Sequence, residues 1–548
     1  MPADLVLVNG RVWTGVPGAA EFEAIAVSGA RIDAVGSNEQ IRPRVGPDTT
    51  VIDAAGRRVI PGITDSHTHF LSGGLGLSRL DLRPARNKTE FRDRVAAAVA
   101  RMSPGAWLLG GRWTVDSWED PESPTRYWID DLTPGTPVFL ERMDGHQALV
   151  NSVALKFGRI DAKGPPDPPG GEIVRDPETG EPTGILKDEA MDLVARRIPA
   201  PSVNHRCEAL VAAMRHANTF GITCVHDMSQ ASDLPIFARV HQANMMTVRI
   251  AAYVSVEDWE GHIEKSKDFR PCDDWLWVCG LKGFMDGSLG SRTAYMRESF
   301  SDAASDAKYP RGMLLAMADP PEKFAEHVGA AAAAGLQPAI HAIGDEANHL
   351  LLNIYEGLGT KLRGAIRPRV EHAQHLLPDD IARFGRLGVF ASMQPFHKAD
   401  DGRYAGSALG PKRSATSYAF KALLDSGATL CFGSDWPVVS LNPFAGIATA
   451  VDARTLDGRI WFPEQSITRE QALRAYTVTP ALVAGREKDA GMLEPGKLAD
   501  IAILSQDVLS IDTGRIAATT ATHTIVGGRL VWQLPGSAAS PTPQPARD

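Results

Sequence analysis

The chain has 548 residues, 43% of them hydrophobic and 22% charged, with a formal net charge of −9. That composition is globular, supports a large core, and argues against nucleic acid or an anionic membrane surface as a partner. No run of 18 apolar residues and no leader-like N-terminus occurs, so a cytoplasmic protein with no membrane contact is expected. The first predicted elements are short strands at residues 5–8, 11–14, 24–27 and 32–35, broken by Gly and Asn. A helical period follows over residues 89–102. Residues 107–188 are rich in Pro, Gly and Trp and read as an insertion, with a hairpin at 172–186. Beyond it, helix and strand alternate. Residues 203–220 lead into a strand at 222–225, and 321–334 into 337–341. Residues 379–387 lead into 389–393, and 417–426 into 429–432. The β-rich texture returns over residues 491–532, with strands at 500–504 and 523–526 and a Gly527-Gly528 turn.

Alternation of this kind implies parallel strands with crossover helices, hence an α/β fold. No G-x-G-x-x-G opens a helix after a strand, so a (β/α)8 TIM-like barrel is favoured over a dinucleotide-binding sheet. The predicted organisation is a small composite β-sandwich from residues 1–59 plus 490–534, a barrel over 60–489, and a disordered tail over 535–548. The five cysteines, Cys207, Cys224, Cys272, Cys279 and Cys431, have neither zinc nor disulfide spacing and read as reduced thiols.

The chemistry begins at Pro61-Gly62-Ile63-Thr64-Asp65-Ser66-His67-Thr68-His69. In a strand, Asp65, His67 and His69 share a face, and two imidazoles on one face can hold a metal ion. Alone the pair says little, because 15 histidines in 548 residues yield about 0.4 such pairs by chance. His341, His372 and Asp435 change that weight, since each follows a short apolar strand. Barrel enzymes place their working groups at those strand ends. Lys282 shares a predicted strand face with Phe284 and Asp286. Buried, its amine is readily neutral and can add CO2 to form a carbamate that bridges two cations; pairing with Asp286 is the structural alternative.

The stretches PGITDSHTHF, DGHQALVNS, LKGFMDGSLGSRTA, IHAIGDEA, VEHAQHL, GSDWPV and EPGKLADIAIL resemble the amidohydrolase superfamily. More closely, the pattern is similar to amidohydrolase family 3, the branch with N-substituted formamide deformylases. The resemblance implies that His67, His69 and Asp435 bind a first metal and that His341 and His372 bind a second. It implies that Lys282, carbamylated, bridges them, and that Asp435 shuttles the proton. One or two divalent ions, with Zn foremost, are expected; with one ion Lys282 stays unmodified. Lys187 is a rival lysine that lies in the insertion.

Around these groups, His146 is a candidate for contacting the substrate carbonyl, with Asn151, Asp286, Trp113, Trp118 and Phe396 as further substrate-side residues. Asp65 and His226 are expected to hydrogen-bond the metal-binding groups. The function so implied is hydrolysis of a C–N bond in a small amide, formamide or N-acyl compound. An ester, lactone or phosphoester hydrolase is the alternative on the same site, and a non-catalytic binding protein is the reading from another class. A small molecule is the expected partner, and a homodimer is left open.

Overall fold

A computed structural model describes residues 1–537 apart from 104, 114, 116–117, 120–121, 143–146, 169–170, 257–260, 262–272, 291, 304 and 306–308. The tail expected at 535–548 therefore lies, beyond Ser537, outside the described residues. The chain forms two compact units, Met1–Gly73 with Leu210–Asp548, and Gly74–Ala209. The second is wider than the insertion read at 107–188.

In the first unit, eight parallel strands form one sheet in chain order. They are β1 (Ile63–Thr68), β2 (Ile222–Met228), β3 (Arg249–Ser255), β4 (Leu276–Phe284), β5 (Gln337–Ala342), β6 (Arg369–His372), β7 (Phe390–Met393) and β8 (Leu430–Phe432). The sheet nearly closes into a barrel, because the chain just past β8 returns to β1. Asp435 N donates to His67 O at 2.7 Å and His69 N to Trp436 O at 2.8 Å. Among the described residues, helices stand between β1 and β2, between β2 and β3, and between each consecutive pair from β4 to β8. Pro321–Ala333 precedes β5, and Pro378–Leu387 precedes β7. Each begins on a proline, whose missing N–H costs nothing in a first helical turn, and Gly388 in the left-handed region ends the latter.

Register decides what gathers at the carboxyl ends. Phe284 pairs with His341, and Ala342 with His372, so β4, β5 and β6 end level with one another. The parallel strands are buried on both faces, as their apolar runs require.

The chain ends make two sheets. One has four strands, all from the first 53 residues, in the order Arg31–Gly36, Ala24–Ser28, Leu5–Val8, Thr50–Asp53. The other has five, with Arg11–Val12 and Arg58–Pro61 joined by Ile501–Leu504, Ala521–Val526 and Arg529–Gln533. One apolar cluster contains residues of both sheets, among them Leu5, Ile25, Val59, Ile503 and Ile525.

The second unit is built on a six-stranded sheet whose edge is the hairpin of Gly171–Arg175 and Pro182–Asp188. No helix among the described residues is long and apolar enough to cross a membrane.

Candidate metal centre

His67 lies near the end of β1 and is completely buried. Its Nδ1 donates to Glu371 Oε2 at 2.5 Å. Its Nε2 then faces Asp435 Oδ1 at 3.4 Å, with Lys282 Nζ also 3.4 Å away. His69 Nε2 reaches the same Asp435 oxygen at 3.3 Å. The ring of His372 packs 4.9 Å from that of His67 and 4.4 Å from that of His341. Among the described residues, the donor atoms of His67, His372 and Asp435 all lie within 4.8 Å of one another. The expected residues of five different strand ends thus open onto one cup.

Two of these side chains need an unusual backbone. His372 has φ 74° and Asp435 φ 58°. Left-handed φ is uncommon outside glycine, asparagine and aspartate. In β6 it breaks the two-residue alternation, so that Glu371 and His372, adjacent in sequence, both reach the His67 ring.

Electrostatics suit a cation. Burial pushes His67 down to about 4 and His341 down to about 3, and holds His372 well below the imidazole range. All three are neutral, with a lone pair to offer. Burial alone would raise Asp435, but the imidazoles around it, with His69 the one shifted toward its protonated form, keep the carboxyl well below its usual range. Burial lowers Lys282 to about 8, within reach of its neutral amine. His372 Nδ1 and Asp435 Oδ1 are among the buried atoms that have no hydrogen-bond partner. A divalent ion coordinated by imidazole nitrogen and carboxylate oxygen would satisfy both, so the residues fit the group.

Sequence reasoning missed Glu371. This carboxylate is fully buried, and Arg369 grips it through Nε and, at 3.0 Å, through Nη2. Arg369 and His67 more than offset the burial, so Glu371 is held well below the carboxylate range. Arg369 also donates to Ser66 O at 2.6 Å, Ser392 Oγ at 2.7 Å, and Tyr253 OH and His226 Nδ1 at 3.0 Å. His226 thus touches the centre through Arg369. Arg369 and Glu371 lie two apart in R-V-E-H, a paired charge on one strand face, which is the signal that could have found them.

Several expected contacts fall elsewhere. Asp65 does not meet an imidazole nitrogen. Its Oδ1 accepts from the backbone N of His67 at 3.1 Å and of Ser434 at 2.9 Å, and burial pushes it up to about 7. Asp286 accepts from the backbone N of Ile343, Gly344 and Tyr295 at 3.0, 2.7 and 2.7 Å, and is fully buried. It ties the loop after β5 to the loop after β4, although one oxygen lies 3.6 Å from His341 Nε2. That nitrogen donates to Gly287 O at 2.9 Å.

Asn151 and Trp113 belong to the core of the second unit. Asn151 caps the helix Ser152–Gly158 and donates to Thr133 and Thr136, and Trp113 Nε1 donates to Leu140 O at 2.8 Å. The side-chain polar atoms of both are thus engaged within that unit. Trp118 is likewise buried, stacked on Trp128. Lys187 pairs with Glu172 at 2.8 Å. Phe396 is half-buried on the helix Pro395–Asp401. His146 lies outside the described residues.

The model of the amidohydrolase family matches residues 50–532. The chain belongs to the amidohydrolase family. It is 38% identical to Protein LONG AFTER FAR-RED 3 of Arabidopsis thaliana over 97% of this chain and 92% of that one, a name that states no reaction. It is 26% identical to the N-substituted formamide deformylase of Arthrobacter pascens, over 97% and 99% of the two chains. The solved structure of an uncharacterized metal-dependent hydrolase from Pyrococcus horikoshii superposes with a TM-score of 0.76 at 26% identity, covering 93% of this chain and 99% of that one. Membership in this family makes the protein a hydrolase of the TIM-like barrel class.

Proposed function

We propose that this amidohydrolase cleaves the C–N bond of a small amide, formamide or N-acyl compound with the help of a divalent cation. The observation that carries the reading is the cup in which His67, His372 and Asp435 point donor atoms at one another within 4.8 Å. His69 and His341 stand beside it, and Lys282 would bridge as a carbamate if two ions bind. Zn is the first candidate for the ion. A bound cation of this kind acidifies water from a pKa of about 16 toward about 7 and polarises a carbonyl.

The chain's own part is to move the proton. Asp435, ionised in the cup, takes a proton from the attacking water and gives it to the leaving nitrogen as the C–N bond breaks. Glu371 fixes the His67 ring so that Nε2, not Nδ1, faces the cup. The deformylase relative supports a C–N substrate, since its name states one.

Elemental analysis of purified protein, followed by Asp435→Asn assayed on a panel of N-substituted formamides and esters, tests this. The variant is expected to keep part of its metal and lose about 10²–10⁴-fold in turnover. A variant as fast as the parent removes the shuttle, and protein free of metal when active removes the cation.

A further inference from the structure

His397 is carried by the helix Pro395–Asp401, which follows β7 and starts on a proline. It plays no part in the ligand pattern above. Its side chain is only 12% exposed, its Nε2 is buried without a hydrogen-bond partner, and that nitrogen lies 4.0 Å from Asp435 Oδ2. The ring stacks on that of His372 at 6.2 Å, with 20° between the planes. The two oxygens of Asp435 therefore face different groups. Oδ1 looks toward His67 and His69, and Oδ2 toward His397.

A buried polar atom left unpaired is costly, so a partner for it is expected. A separation of 4.0 Å is too long for a direct bond. It is, however, what one polar atom spans when it lies about 2.8 Å from each group, subtending about 90°. We propose that this atom is the leaving nitrogen of the substrate, and that His397 is a substrate-contacting residue that selects leaving groups bearing an N–H.

The assignment rests on the C–N reading above. In the tetrahedral state the nitrogen carries one lone pair and one hydrogen. The hydrogen is donated to His397 Nε2, which turns the lone pair toward Asp435 Oδ2 and its proton. His397 accepts a hydrogen bond throughout and transfers nothing. An ester oxygen has no hydrogen to offer, so the contact distinguishes amides from esters of the same shape.

The test compares the metal-loaded parent with His397→Leu and His397→Gln on N-benzylformamide and benzyl formate, with metal content measured for each. In His397→Leu, kcat/KM for the formamide is expected to fall at least about 30-fold, while the ester changes less than about 3-fold. His397→Gln, whose amide oxygen can accept the same N–H, should recover most of the loss. Equal loss on both substrates would mean a merely structural role, and no loss on either would mean none; both overturn the proposal.

Calorimetry supplies a readout that needs no turnover. The parent should bind acetohydroxamate at least about 10-fold tighter than N-methylacetohydroxamate, which lacks the N–H, and His397→Leu should lose that preference. A parent that binds the two equally, or neither, overturns the assignment. A parent that hydrolyses no amide, formamide or N-acyl compound of a panel yet keeps the preference sinks the C–N reading and leaves the His397 contact standing.

Discussion

Glu371 determines which nitrogen of His67 can meet a cation. It accepts from Nδ1, fixes the tautomer, and is itself neutralised by Arg369, all three groups being fully buried. A ligating imidazole commonly needs such a partner, and the sequence led to Asp65 because it lies two residues away on the same strand. The partner comes instead from β6, across the barrel, a pairing that spacing along the chain does not carry. Glu371→Gln leaves Arg369 buried without its counter-charge. A loss of about 3–5 kcal/mol in urea denaturation is expected, with metal affinity 10–100-fold weaker by titration. Unchanged values in both measurements would make this network incidental. The positive φ of His372 was equally hidden, because V-E-H reads as unbroken strand.

At the scale of elements, closure of the barrel brings Asp435 to His67. The chain after β8 passes β1 so closely that a Cβ on Gly433 would lie 2.4 Å from His67 N and 2.8 Å from Asp65 Oδ1. Asp65 accepts from both sides of this seam, which gives its burial a purpose. Gly433→Ala should push β1 and the 433–435 segment apart. We expect a loss of about 1–3 kcal/mol, as for other overpacked sites, together with weaker metal binding. Parent-like metal affinity in a destabilised Gly433→Ala would show that the seam holds the fold and not the site. Most elements that build this scaffold were legible from periodicity and punctuation, including β2, β5, β7, β8 and the helices before them. β3 was not. Its run R-I-A-A-Y-V-S carries no motif, and a short apolar run does not declare itself as strand or helix.

Across the whole molecule, the chain ends are fastened by charge as well as by sheet. Arg58, 1% exposed, donates through Nε and Nη2 to Asp507 at 2.8 and 3.0 Å, and Arg11 joins at 2.6 Å. Burial would raise Asp507, but Arg58 pulls it down to about 2. The carboxyl is thus lowered on folding, so its contribution is fully present above the unfolded value near 3.8 and is lost as pH falls through about 2. Asp507→Asn should cost about 2 kcal/mol at pH 7 and pH 5, with the gap to the parent shrinking below pH 4. A gap that stays constant down to pH 3 would mean that Asp507 contributes by packing alone.

The sequence by itself determined the α/β barrel class, the β-rich chain ends and the identity of the side chains that meet in the cup. Strand period, turn residues and chemically distinctive groups at strand ends are local signals, and they survive without coordinates. Tertiary structure alone decided that Glu371 orients His67, that Asp65 and Asp286 hold backbone, that Asn151 and Trp113 belong to another core, and that His397 faces Asp435. Each of these is a relation between strands or loops distant in the chain, set by register and closure, and no window of sequence contains both partners.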